Sequence, residues 1–122
     1  MSKKITFIIV EDEALFSLHL ARQLHRKGYD VIGRFVSGEQ AVDYTRNHIP
    51  DVVTMDIGLH GRWNGVETAH KLREFTQAPI IFITGYSQKE IIDRALQIER
   101  AYYLPKPLND REFNSILEKV LS

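Results

Sequence analysis

Five times along its 122 residues the chain runs through a short apolar segment rich in β-branched residues. Each time a stretch follows in which apolar residues recur at helical spacing. Continuous apolar runs fit strands buried on both faces, and amphipathic helices between them fit crossover connections. Strict alternation therefore predicts one α/β domain over residues 1–122, a doubly wound parallel sheet covered by helices on both faces. Each crossover is expected to be right-handed.

The runs fall in order. Ile5–Val10 reads as the first strand, and Ala14, Leu18, Ala21 and Leu24 as a helix stopped by Gly28. Val31, Ile32, Phe35 and Val36 suggest the second strand. Ser37, with Gln40 three residues on, then predicts a capped helix reaching about Asn47. "DVVTMDI" is the third strand, ending near Asp56. The loop "GLHGRWNG" leads to a helix marked by Val66, Ala69 and Leu72. "PIIFIT" is the fourth strand. Ser87 is expected to cap the helix of Ile91, Ile92, Ala95 and Ile98. "AYYL" is the fifth strand, and Asn109 caps a last helix with Phe113, Ile116, Leu117, Val120 and Leu121 inward.

Ligands of such sheets bind outside the carboxyl ends of the strands. At those ends stand Glu11, Asp12 and Glu13 after strand one, Asp56 after strand three, Thr84 after strand four and Lys106 past strand five. Carboxylates packed together repel one another, and a hard cation with several waters relieves them. The acidic triplet is therefore expected to hold Mg²⁺ or Mn²⁺ beside Asp56. Asp56 then reads as a nucleophile that accepts a phosphoryl group as an acyl phosphate. The metal and Lys106 would neutralise the incoming charge, and the Thr84 hydroxyl would donate to a phosphoryl oxygen. Each residue also has a plainer reading. Acids after a strand suit a helix N-terminus, Asp56 could cap the next segment, and Lys106 between Pro105 and Pro107 could be a loop cation. Those readings fail jointly, because the positions meet at one rim of one fold. The five histidines, His60 among them, lack metal-ligand spacing and read as surface or packing residues, and Trp63 as cover for a small apolar patch.

With "VEDE", "PDVVTMDIGL", "NGVETA", "PIIFITGYS" and "YLPKPL" in this order, the chain resembles the receiver domain of two-component response regulators along nearly its whole length. The resemblance implies strand order 2-1-3-4-5, one of the two common orders of doubly wound sheets and the order of chemotaxis receivers. It implies Asp56 as phosphoacceptor and Glu11, Asp12, Asp56 and the Gly58 carbonyl as the Mg²⁺ site, with Asp12 the direct ligand of the acidic pair. Thr84 and Tyr103 would be the coupled switch residues, and Lys106 the phosphate partner ahead of a cis Lys106-Pro107 bond. It further implies a histidine kinase or histidine phosphotransfer protein as phosphodonor and an output domain or downstream protein as receiver of the signal. The expected readout is the surface of the fourth helix, fifth strand and fifth helix. Self-phosphorylation from a small donor and slow autodephosphorylation are expected rather than ordinary turnover. Three departures stand out. Glu11 replaces a commoner Asp and is expected to act through water. Gly58 offers no side chain where the family tunes phosphoryl lifetime. The Asp56–Gly65 loop is one residue longer than the commonest form.

Two other classes compete. An aspartyl phosphatase of the haloacid dehalogenase type wants a second Asp two residues after the nucleophile, where this chain has Gly58. A flavodoxin-like flavin module wants a Gly/Ser/Thr phosphate loop after strand one, where this chain has three acids. Totals narrow the field further. Sixteen basic and sixteen acidic residues leave no net charge, which argues against nucleic-acid binding by this domain. The absence of cysteine removes disulfides and thiolate chemistry. Lys3 and Lys4 before an apolar run hint at a signal peptide, but the run is short and ends in acids. The chain therefore reads as cytoplasmic, with no membrane association.

Overall fold

The computed structural model describes residues 4–122; Lys3 lies outside them. Five strands alternate with five helices: β1 Thr6–Val10, α1 Ala14–Arg26, β2 Asp30–Phe35, α2 Gly38–Thr45, β3 Val52–Met55, α3 Gly65–Arg73, β4 Ile80–Thr84, α4 Lys89–Leu96, β5 Ala101–Pro105 and α5 Asp110–Leu121. All pairings are parallel, in the order β2-β1-β3-β4-β5. Alternate residues of each strand serve opposite faces. Phe7 and Ile9 of β1 and Ile81 and Ile83 of β4 join Leu20 and Leu24 of α1 and Phe113, Leu117 and Val120 of α5. Ile8, Val10, Ile80 and Phe82 turn the other way, onto Ala41 and Val42 of α2, Ala69 and Leu72 of α3, and Ala95 of α4. The central strands are thus buried on both sides, which is why their sequences are continuously apolar. Among the described residues, no helix is long and apolar enough to cross a membrane.

Local chemistry ends the elements where it can satisfy the backbone. Gly28 takes φ +93° after α1, the left-handed conformation that glycine adopts without steric cost. Ser37 Oγ accepts from Gln40 N–H, and Asn109 Oδ1 accepts from Glu112 N–H. At α3 a reciprocal capping box forms, with Asn64 accepting from Glu67 N–H while the Glu67 carboxylate accepts from Asn64 N–H. Four expectations shift. Ile98, expected on the fourth helix, is buried but falls beyond its end at Leu96, where the Gln97 and Ile98 N–H groups close the last turn onto Asp93 and Ala95. Val36 falls outside β2 and is exposed. The second helix closes at Thr45, because the following N–H groups, from Arg46 to His48, bond back to Val42, Tyr44 and Thr45 in a tightening turn. Ser87 is not a cap: α4 begins after Gln88, which makes no side-chain cap bond. The chain ahead of α4 is pinned instead by Tyr86, whose N–H donates to Thr84 Oγ1 and whose carbonyl accepts from the Tyr103 hydroxyl.

Phe113 holds α5 on the sheet and is fully buried. Phe113→Ala is expected to cost about 3–5 kcal/mol, the range for truncating a buried aromatic. Urea unfolding should show it as a lower midpoint at unchanged m-value.

Candidate phosphoacceptor site

Parallel pairing brings the carboxyl ends of β1, β3, β4 and β5 to one edge. Backbone bonds hold them in step across it: Asp56 N–H donates to the Val10 carbonyl at 3.0 Å and Lys106 N–H to the Thr84 carbonyl at 2.9 Å. Glu11 and Asp12, Asp56, Thr84 and Lys106 are carried to this edge because each follows or ends one of these strands. One ligand atom from each of Glu11, Asp12 and Asp56 lies within 4.8 Å of the others. Glu11 is 3% exposed and Asp56 8%, while Asp12 is half-buried.

Lys106 closes the cluster. Its Nζ stands 2.8 Å from Glu11 Oε1, 2.8 Å from Glu13 Oε1 and 3.7 Å from Asp56 Oδ2, and lies over the face of Phe16. Burial works to lower the Lys106 pKa. Hydrogen bonds that Lys106 donates to Glu11 and Glu13, with the charges of Asp56 and Glu11, outweigh it and hold the ammonium above its ordinary value. Glu13, the third acid of the triplet, is mostly exposed and outside the carboxylate group. It serves Lys106, and its N–H donates to Glu11 Oε2.

Thr84 is fully buried, and its hydroxyl accepts from Tyr86 N–H at 3.3 Å. Tyr103 is half-buried, with its hydroxyl 3.4 Å from the Tyr86 carbonyl. The Tyr86 ring packs over Gly58, where an added Cβ would meet ring carbon Cε2 at 2.6 Å. Gly58 N–H in turn donates to Asp56 Oδ1 at 3.2 Å. Tyr86 thus touches Thr84, Tyr103 and the Asp56 loop together. Its position two residues after Thr84 was a legible clue, but only the fold reveals the Gly58 contact. His60, read from sequence as a surface residue, sits with Nδ1 2.5 Å from Asp12 Oδ2. The Lys106-Pro107 bond is cis. Trp63 is half-buried against the core between Arg62 and Lys71, and its backbone N–H donates to Glu39.

The donor chemistry fits a hard divalent cation. Three clustered carboxylates with few other ligands suit Mg²⁺ or Mn²⁺, which keep several waters. Burial pushes the Glu11 carboxyl up from 4.5 to about 7, while hydrogen bonds from Lys106 and Glu13 N–H oppose the rise and the Asp56 charge adds to it. A carboxyl raised in the folded state supports the fold fully below pH 4.5 and loses that contribution as pH rises through about 7. Without divalent ions, the stability of wild type relative to Glu11→Gln should therefore fall over that window, by up to roughly 3 kcal/mol. Mg²⁺ affinity should run the other way, flat above pH 7 and falling by up to about tenfold per pH unit below it, because a ligand must lose its proton. Calorimetric titrations between pH 5.5 and 8 and urea unfolding of both proteins check the two trends.

The family described as response regulator receiver domain matches residues 7–118. The transcriptional regulatory protein PdtaR of Mycobacterium tuberculosis is 33% identical over 94% of this chain and 56% of its own length. CpxR of Escherichia coli is 33% identical over 93% of this chain and 48% of its own. The chain thus spans about half the length of the curated relatives it matches. Among solved structures, the signal receiver domain of a modulated diguanylate cyclase from Desulfovibrio desulfuricans is 37% identical with a TM-score of 0.87, covering 97% of this chain and 94% of that one. In fold alone, the chain also superposes on a CheX–CheY complex from Borrelia burgdorferi, at a TM-score of 0.89 and 24% identity over 97% of this chain and 90% of that one. With its five-stranded order and its carboxylate-lysine rim, the chain belongs to the response regulator receiver domain family, whose members are phospho-accepting signalling switches.

Proposed function

We propose that residues 1–122 act as one receiver unit that takes a phosphoryl group onto Asp56 from the phosphohistidine of a sensor kinase or phosphotransfer protein. One observation carries this reading: Lys106 stands within ion-pair reach of Asp56 beside a group of three carboxylates at the carboxyl rim of the sheet. In the transfer, an Asp56 carboxylate oxygen forms the new bond to phosphorus. The phosphorus–nitrogen bond breaks, and the imidazole leaves with the electron pair. Glu11, Asp12, Asp56 and the Gly58 carbonyl would hold Mg²⁺ or Mn²⁺, which supplies charge neutralisation for the transferring group when bound. Lys106 supplies the remainder. Its ammonium needs only a small swing from Glu11 and Glu13 to reach a phosphoryl oxygen on Asp56.

The signal then leaves through Thr84. Phosphorylation adds roughly −1.5 to −2 charge and new acceptor oxygens. Drawn toward them, the Thr84 hydroxyl gives up its bond to Tyr86 N–H and frees the segment that Tyr103 holds by the Tyr86 carbonyl. Tyr103 turns inward, and the α4-β5-α5 surface changes, the general form of a switch biased by local charge. Output passes from that surface to a further domain or a downstream protein. The chain works in the cytoplasm, without binding nucleic acid itself.

Thr84→Ala should accept phosphate but answer weakly at that surface. Backbone NMR with Mg²⁺ and beryllofluoride, a phosphoryl mimic, should show shift changes over residues 86–104 in wild type and at most about half of them in the variant. A full response in Thr84→Ala would mean that coupling takes another route.

A further inference from the structure

We propose that the groove between the carboxyl-terminal half of α1 and the amino end of β2 receives an acidic amphipathic helix of a partner protein. The groove encloses about 400 Å³ and is lined by Ala21, Arg22, His25, Arg26, Asp30 and Val31. Ala21 and Val31 make its floor. Both are half-buried and pack against the core that α1 and α5 share with the inner strands. The four ionisable residues are exposed and form the rim.

That rim is basic and unsatisfied. Two guanidiniums and an imidazole stand with one carboxylate, Asp30. Among the described residues no ion pair reaches Arg22, His25, Arg26 or Asp30, although the chain carries as many acidic as basic residues. A helix C-terminus favours cations, which accounts for His25 and Arg26 in the last turn of α1. It does not account for Arg22, a turn earlier, nor for the apolar floor.

Arg22, His25 and Arg26 follow i, i+3, i+4 spacing, so they share one face of α1. They suit a row of acids on a helix laid alongside, whose apolar stripe enters the groove. Three other occupants fit worse. A second copy meeting this face across a two-fold axis would set the arginines of one copy against those of the other. An added strand would meet an edge already broken by a register slip, which leaves Ile32 without a partner on β1. A lipid surface is too flat to reach Ala21 and Val31 in the floor. The groove also lies at the amino end of β2, whereas the phosphoacceptor rim lies at the carboxyl ends of the strands. Occupancy of one therefore leaves the other open.

The test is an NMR titration of the chain with a helical peptide of about 14 residues, leucine at i, i+3, i+4 and i+7 and glutamate elsewhere. Backbone shifts should saturate over residues 21–26 and 30–31 below about 1 mM peptide at low salt. They should do so equally with and without Mg²⁺ and beryllofluoride. Arg22→Gln combined with Arg26→Gln should weaken binding at least about tenfold, and Asp30→Asn should tighten it about threefold. These side chains are exposed, so the variants keep the fold. No saturable shift, or equal affinity in the double variant, would overturn the proposal. So would equal binding of a peptide with glutamine in place of leucine, because charge alone would then act outside the groove. Shifts at these residues with phosphatidylglycerol vesicles, and none with the peptide, would give the face to a membrane instead.

Discussion

Asp56→Asn will take up no phosphoryl group from acetyl phosphate under conditions that modify wild type nearly to completion. The amide is isosteric, so the Gly58 N–H bond to Oδ1 and the loop it supports should survive. What is lost is the carboxylate oxygen that, on the proposed function, would attack phosphorus. The neighbouring acids are poor substitutes. Glu11 is buried, raised to about 7 and engaged by Lys106, Glu13 is paired with the same ammonium, and Asp12 is turned to His60. Only Asp56 combines a carboxylate at the rim with a cation 3.7 Å away that is not in full contact with it. Intact-mass measurement after incubation with donor and Mg²⁺ gives the occupied fraction directly.

Asp12→Ala should lower Mg²⁺ affinity by at least about a hundredfold, above the ten- to hundredfold typical of changes one shell further out. Asp12 is the one member of the carboxylate group that neither Lys106 nor a backbone N–H holds among the bonds described, and its partner there is the exposed His60, so a cation can engage it without breaking the Lys106 cluster. Its loss should scarcely touch the fold, because the side chain is half-buried and its partner His60 is exposed. Calorimetry of the folded variant separates this outcome from unfolding. An affinity equal to wild type would remove Asp12 from the ligand set.

How far the sequence foretold the molecule differs by level. The strands were legible because a parallel sheet covered twice demands unbroken apolar runs, and "FIIV" and "PIIFIT" have no other economical reading. The rim residues were legible because each sits where such a run stops. Strand order was not available from alternation, since any right-handed set of crossovers alternates equally well; it came with the family resemblance. Caps were legible where a side chain does the capping, as at Ser37 and Asn109. They were not at Ser87, because α4 begins one residue later, after Gln88, which makes no side-chain cap bond. Glu13 on Lys106, Tyr86 over Gly58 and His60 on Asp12 were equally hidden, because each joins residues whose nearness depends on loop paths. Sequence spacing reports contacts within an element, and these three lie between elements.

The measurement that bears most directly on the switch is identification of the modified residue in wild type by tandem mass spectrometry after borohydride trapping, with Mg²⁺ and with chelator. Modification confined to Asp56 and dependent on Mg²⁺ is the predicted result. Phosphate on another residue, or equal labelling of Asp56 in chelator, would contradict it.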